Sequence, residues 1–127
     1  MEVSRVEPVN LHIAGAKDDS KKPRMDLVLG GFPNALWGLG EVGTYGASKY
    51  SDNGWKEVDN AVERYSNALL RHYLKYKTGE FYDRETSLPH LSHMIWNACA
   101  LYESYYKLGF PKQDNLVGVS AEYIVNI

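Results

Sequence analysis

The chain reads as all-α: a small helical bundle of about three core helices with an irregular N-terminal arm and a C-terminal tail. Three observations predict it. Apolar residues recur at three- and four-residue intervals in three separate segments. Each segment runs into a stop signal: Ser51-Asp52-Asn53-Gly54, Thr78-Gly79 or Gly109-Phe110-Pro111. The length of 127 residues is that of one ordinary domain. The expected division is an arm over residues 1–20, a helical domain over 21–110 and a tail over 111–127.

The arm, through Lys17-Asp18-Asp19-Ser20-Lys21-Lys22-Pro23, is charged and has no period. Phe32-Pro33-Asn34 opens the first helix, in which Leu36, Leu39, Val42 and Tyr45 recur. The glycines between Gly30 and Gly46 weaken it, since each interior glycine costs about 1 kcal/mol against alanine. They also let another backbone approach closely. The second helix has Asp59 as its expected N-cap. Ala61, Val62, Tyr65, Leu69, His72, Tyr73 and Tyr76 share one face. In the third helix Ser87 is the expected cap and Pro89 sits in the first turn. Its wide apolar face is Leu91, Met94, Ile95, Ala98, Leu101, Tyr102 and Tyr105, with His90, His93, Asn97 and Ser104 on a flank. The end of the chain, around Leu116–Val119 and Glu122–Val125, reads as a short strand or a docking tail. Three helices of this size bury limited apolar area alone, so a homo-oligomer is expected.

Composition excludes several classes. An apolar fraction of 44% and a charged fraction of 24% are globular rather than disordered values. A net charge of −2 argues against a surface for a nucleic acid polymer, which is usually strongly basic. No run approaches eighteen apolar residues, so no membrane partner is expected. Cys99 is the only cysteine, which rules out an internal disulfide and a thiolate cluster. Its apolar neighbours suggest a buried, inert thiol. With no apolar signal segment at the N-terminus, a reducing cytoplasm is the expected compartment. Ten tyrosines and three tryptophans against three phenylalanines mean that most large rings carry a polar tip. Such rings suit pocket walls and subunit interfaces.

The chemistry-bearing residues fall within about 35 positions. His90 and His93 stand at i and i+3 on one helix flank. A zincin pair would use i and i+4 with an intervening glutamate, which Leu91-Ser92 does not supply. Hydrogen bonding to a phosphate or a base is the better functional reading. Arg64, Arg71 and Lys75 form a cationic edge, and guanidinium forks match phosphate oxygens. His72 falls on the apolar side of that edge and should meet the histidine helix. Lys49 could complete a cationic ring. Glu80, Asp83 and Glu85 lie in the loop entering the histidine helix, and Glu41 is a further carboxylate on the first helix. Mg²⁺ is typically held by a few carboxylates together with substrate phosphates.

Several stretches resemble a known family. They are Lys22-Pro23-Arg24-Met25-Asp26-Leu27, the run Glu41 to Tyr50, Asn53 and Trp55, and Arg64-Tyr65 with Ala68-Leu69 and Arg71-His72. Gly79-Glu80, Asp83, Glu85-Thr86, Leu88-Pro89-His90-Leu91, His93 and Asn97-Ala98 complete the set. In order and spacing these are similar to the phage-borne dATP/dGTP diphosphohydrolases, from about Lys21 to about Tyr105. The resemblance implies a helical nucleotide-binding fold related in function to MazG-like pyrophosphohydrolases. Those enzymes cut between the α- and β-phosphates with Mg²⁺ held by Glu-x-x-Glu and Glu-x-x-Asp pairs on two helices. This sequence has neither pair: Thr44 stands three residues after Glu41.

Two functions are therefore expected as alternatives. As an enzyme, the chain would be a purine (d)NTP pyrophosphohydrolase. Glu41, Glu80 and Asp83 would hold Mg²⁺, and His72 or His90 would assist proton transfer. Lys49, Arg64 and Arg71 would clamp phosphates, Trp55 would stack on the base, and His93 and Asn97 would complete the substrate-binding set. As a binding module, it would be an oligomeric sponge, without metal, that sequesters a cyclic or ADP-ribose-type nucleotide signal and so blocks host anti-phage defence. In either case the partner is a purine nucleotide, and a phage-encoded protein would act in the host cytoplasm.

Overall fold

The computed structural model describes residues 10–112. Its elements are α1 (Met25–Gly31), α2 (Pro33–Lys49), a 3₁₀ turn (Gly54–Glu57), α3 (Ala61–Lys77) and α4 (His90–Leu108). The fold is all-α, and the one β feature among the described residues is an isolated antiparallel bridge between Tyr82 and Pro89. The alternatives for Leu116–Val125 lie outside the described residues. α1 was not foreseen. At 7 residues it is under two turns long, too short for periodicity to show.

The backbone divides between Pro33 and Asn34. The first part is held by local side-chain bonds. Asn10 Oδ1 accepts from the His12 N–H at 3.0 Å, and Asp18 Oδ1 accepts the Ser20 hydroxyl at 2.7 Å. Arg24 grips Asp26 at 2.8 Å, an exposed pair of the kind that contributes little stability.

The second part is built on α3 against α4. They run antiparallel: Tyr65, early in α3, meets Trp96 in the middle of α4, and His72, late in α3, meets His93 near the start of α4. Two helix starts differ from expectation. α3 begins after Asn60, which sits in the left-handed region at φ 53°, and not after Asp59. α4 begins at His90 with Pro89 at the cap position, rather than after a Ser87 cap. Proline disfavours helical geometry in the residue before it, so Leu88 cannot join the helix. Ser87 instead turns the loop at φ 62°. The expected stops hold, with Gly79 at φ 105° and Gly109 at φ 90°.

The interior is unusual in composition. Among the described residues the buried apolar side chains are Val42, Tyr65 and Ala100, whereas His90, Ser92, His93 and Asn97 are buried polar ones. The flank of α4 expected to lie beside the core is thus the face turned inward. Leu91, Ala98 and Tyr102, from the expected apolar face, are exposed, and so is Cys99, contrary to the buried thiol expected. A ring trio closes the apolar end. Tyr65 lies edge-on to Trp55 and Trp96 at centroid distances of 6.5 and 5.8 Å, and the two indoles are 5.6 Å apart. α2 comes close to α4 at its glycines. A Cβ at Gly38 would stand 2.9 Å from Ser92 Oγ, and one at Gly43 would stand 3.6 Å from Trp96 Nε1.

Candidate functional site: a buried histidine cluster

The loop from Thr78 to Pro89 builds the site by folding back on itself. The Asp83 N–H donates to Leu88 O at 2.8 Å, and the His90 N–H donates to Phe81 O at 2.9 Å. Asp83 fastens the tip as an Asx turn: its Oδ2 accepts the Glu85 N–H at 3.1 Å, the Thr86 N–H at 2.9 Å and the Thr86 hydroxyl at 3.0 Å. The loop thereby delivers Glu80 and Asp83 to the α3–α4 seam, where His72, His90 and His93 meet.

The contacts form two chains. In the first, Glu80 Oε2 lies 2.8 Å from His90 Nε2, and His90 Nδ1 lies 2.8 Å from His72 Nδ1. An ionised carboxylate only accepts, so His90 Nε2 donates to it. In a neutral histidine pair His90 Nδ1 then accepts, and His72 Nδ1–H donates. In the second chain the Thr86 hydroxyl gives its hydrogen to Asp83, so the His93 Nε2–H donates to Thr86 Oγ1 at 2.7 Å. The two chains touch where the His93 ring stacks on His72, 4.5 Å apart and 5° from parallel. His90 is 0% exposed, and no buried side-chain polar atom among the described residues lacks a partner. Buried polar groups this well satisfied fix one geometry.

Electrostatics follow from burial and neighbours. Burial, with repulsion from His93 and His90, pushes His72 down to about 4. His72 is therefore neutral near pH 7 and offers a lone pair or an N–H rather than a charge. Burial also lowers His93, with Asp83 opposing. The bond from His90 lowers Glu80, and Lys75 and Arg84 add to it. Burial works to raise the Asp83 carboxyl, but the Thr86 backbone and hydroxyl bonds and the nearby histidines outweigh it and leave it below its ordinary value.

The other residues singled out in the sequence stand as follows. Arg71 is exposed and adjoins His72 in sequence. Arg64 is exposed and donates to Asp59 O at 3.3 Å. Lys49 is paired with Glu85 at 2.6 Å, and the Tyr45 hydroxyl donates to the same Glu85 oxygen at 2.8 Å, which ties α2 to the loop. Trp55 packs in the ring trio, and its carbonyl accepts the Tyr65 hydroxyl at 2.8 Å. Asn97 is buried, with its amide donating to His93 O one turn back at 2.8 Å. Glu41 is exposed on α2 and forms none of the hydrogen bonds of the cluster. Sequence reasoning missed Thr86, which links Asp83 to His93. Its signal was the Asp-x-x-Thr spacing that an Asx turn uses.

Mg²⁺ fits poorly as a resident ion here. It demands an octahedral shell made mostly of oxygens. Glu80 already engages His90 and Lys75 through Oε2, the latter at 3.9 Å, and Arg84 through Oε1 at 2.8 Å. Asp83 Oδ2 has its three donors, which leaves Oδ1 as the one carboxylate oxygen of the cluster that makes no hydrogen bond to the described residues.

No curated protein and no solved structure matches the chain. A family model does: that of dATP/dGTP diphosphohydrolase, N-terminal, over residues 12–113. The matched segment contains every residue of the histidine cluster, and the chain belongs to the dATP/dGTP diphosphohydrolase family.

Proposed function

We propose that the protein hydrolyses a purine deoxynucleoside triphosphate, attacking with water between the α- and β-phosphates to give a monophosphate and diphosphate. The observation that carries this reading is the family match over residues 12–113, which spans the whole cluster. Arg71, exposed beside His72, binds the phosphate chain, and Arg64 and Lys75 extend the cationic edge. Lys49 serves chiefly to hold Glu85 and the loop. In the neutral pair, His72 Nε2 is left with a lone pair that can take a proton from the attacking water. His93 and Thr86 hold that ring in plane. Mg²⁺ enters as the counter-ion of the triphosphate, carried by its oxygens.

A second reading, sequestration of an intact nucleotide, draws on one specific observation. The carboxylates of the loop are engaged by protein partners: Glu80 by His90 and Arg84, Asp83 by Thr86, and Glu85 by Lys49 and Tyr45. The deciding experiment incubates the protein with dATP or dGTP and Mg²⁺. Both the released small molecules and those retained through gel filtration are then identified. Monophosphate plus diphosphate supports hydrolysis. Intact nucleotide recovered only after heating supports the sponge. Arg71→Ala is expected to weaken nucleotide binding by about 1.5–3 kcal/mol under either reading, the value of a charge-assisted hydrogen bond. Titration calorimetry showing wild-type affinity would remove Arg71 from the site.

We further propose that the protein works as a homo-oligomer. Leu70, Tyr73 and Leu74 on α3 and Leu91, Tyr102 and Tyr106 on α4 are exposed, while few apolar side chains among the described residues are buried. Helix faces of this kind are covered economically by a second copy. Light scattering is expected to give a mass of at least two chains. A one-chain mass with full ligand binding would end this proposal.

A further inference from the structure

We propose that His72, Asp83 and His90 form a binding site for a borderline divalent transition ion of the Mn²⁺, Fe²⁺, Co²⁺ or Zn²⁺ class. One potential ligand atom from each of the three lies within 4.8 Å of the others. Two imidazole nitrogens and one carboxylate make a facial set that such ions accept and Mg²⁺ does not favour. The proposal concerns a metal held by the protein. With an ion on His72 Nδ1 the ring proton sits on Nε2, so the ion-loaded His72 is not the proton acceptor of the metal-free pair. The proposal stands whether or not the site cleaves a nucleotide.

Three features mark the site as built rather than accidental. Each ligand is oriented by a second residue. Glu80 binds His90 Nε2 at 2.8 Å, which leaves Nδ1 facing inward, the carboxylate–histidine arrangement that typically backs a metal ligand. Thr86 and the loop amides all bind Asp83 through Oδ2, leaving Oδ1 for an ion. His93 stacks flat on His72 and sets the plane of its ring. Second, the spacing suits an ion. The two Nδ1 atoms are 2.8 Å apart. Metal–nitrogen bonds of about 2.0–2.1 Å put cis ligands about 2.9 Å apart at a right angle and about 3.3 Å apart in a tetrahedron. The spacing therefore already matches cis ligation, and an ion replaces the shared proton once the two rings tilt so that both lone pairs converge on it. Third, the three ligands come from α3, the loop and the start of α4, so one ion would clamp the helix pair at its open end.

The test uses the full-length protein, stripped with chelator and titrated with Co²⁺, a probe with visible d–d absorption. One equivalent per chain is expected, with new bands, an affinity at least 100-fold tighter than for Mg²⁺, and a raised melting temperature. His72→Gln and Asp83→Asn should each weaken Co²⁺ binding by at least 10-fold. Glu80→Gln, outside the ligand set, should weaken it by about 10-fold, as loss of such a supporting residue typically does. Circular dichroism checks that each variant is folded. Equal Co²⁺ affinity in wild type and in folded His72→Gln and Asp83→Asn would overturn the assignment. If both variants fail to fold, the wild-type titration decides: absence of saturable one-to-one uptake overturns the site, and uptake with imidazole-type Co²⁺ bands sustains it. Nucleotide turnover is not measured, so loss of the hydrolase reading would leave this result unaffected.

Discussion

Tyr65→Ala is expected to destabilise the protein by about 3–4 kcal/mol, the scale of removing a large ring from a packed site. Tyr65 is 9% exposed and joins three things at once. Its ring lies edge-on to Trp55 and to Trp96, and its hydroxyl binds the Trp55 carbonyl at 2.8 Å. The mutation therefore unfastens the 3₁₀ turn from α3 and leaves each indole with only the other as a ring partner among the described residues. Few other apolar side chains among the described residues are buried, so little there remains to compensate. Domains of this size have only about 5–15 kcal/mol of total stability. Tyr65→Phe retains the ring contacts and should lose only about 1 kcal/mol, the net worth of a hydrogen bond. Urea midpoints at unchanged slope measure both. A loss below about 1 kcal/mol for Tyr65→Ala would show that the ring trio is not the core of this fold.

Much of this was legible in the sequence because it depends on periodicity and punctuation. The three long helices follow from apolar spacing, and Gly79 and Gly109 end α3 and α4 at positive φ as stop glycines do. The meeting of His72 with His90 and His93 follows from one loop joining two antiparallel helices. What was not legible depends on tertiary packing. Apolar spacing on α4 marked Leu91 and Tyr102 as core, yet within the chain that helix turns its histidines and Asn97 inward. Periodicity identifies an apolar face but not what covers it. The same limit explains Cys99, which is exposed together with Ala98 and Tyr102. Glu41 makes none of the cluster's hydrogen bonds, for a different reason. Its helical position was right, but only the folded loop shows that carboxylates reach the cluster from residues 80–85 and not from α2. Trp55 and Asn97 have the right chemistry for a nucleotide. Trp55 is engaged in the ring trio and Asn97 in binding its own helix backbone.

Asp83 is where the two functional readings separate most widely. Asp83→Ala removes the acceptor for three donors at once: the Glu85 and Thr86 amides and the Thr86 hydroxyl. The loop tip should open, Thr86 should release His93, and stability should fall by about 2–3 kcal/mol, because a hydrogen bond to a charged group is worth about 1.5–3 kcal/mol and the freed amides regain water. Both readings expect that variant to fail, so it measures the loop and not the chemistry. Asp83→Asn is the informative change. Its amide oxygen can keep bonds to the loop while the charge is lost. If the carboxylate takes part in hydrolysis, turnover of dATP or dGTP should fall at least 100-fold while the melting temperature stays close to wild type. If the site only holds a nucleotide, that carboxylate repels the phosphates, and neutralising it should leave binding unchanged or tighter. Glu80→Gln should show the same split in sign, with a smaller change, because Arg84 and Lys75 already offset its charge. The measurement is affinity and turnover for the same nucleotide, with Mg²⁺ and with chelator, in wild type and both variants. Tight binding without turnover, indifferent to chelator and to loss of either charge, would sink the hydrolase reading and leave sequestration.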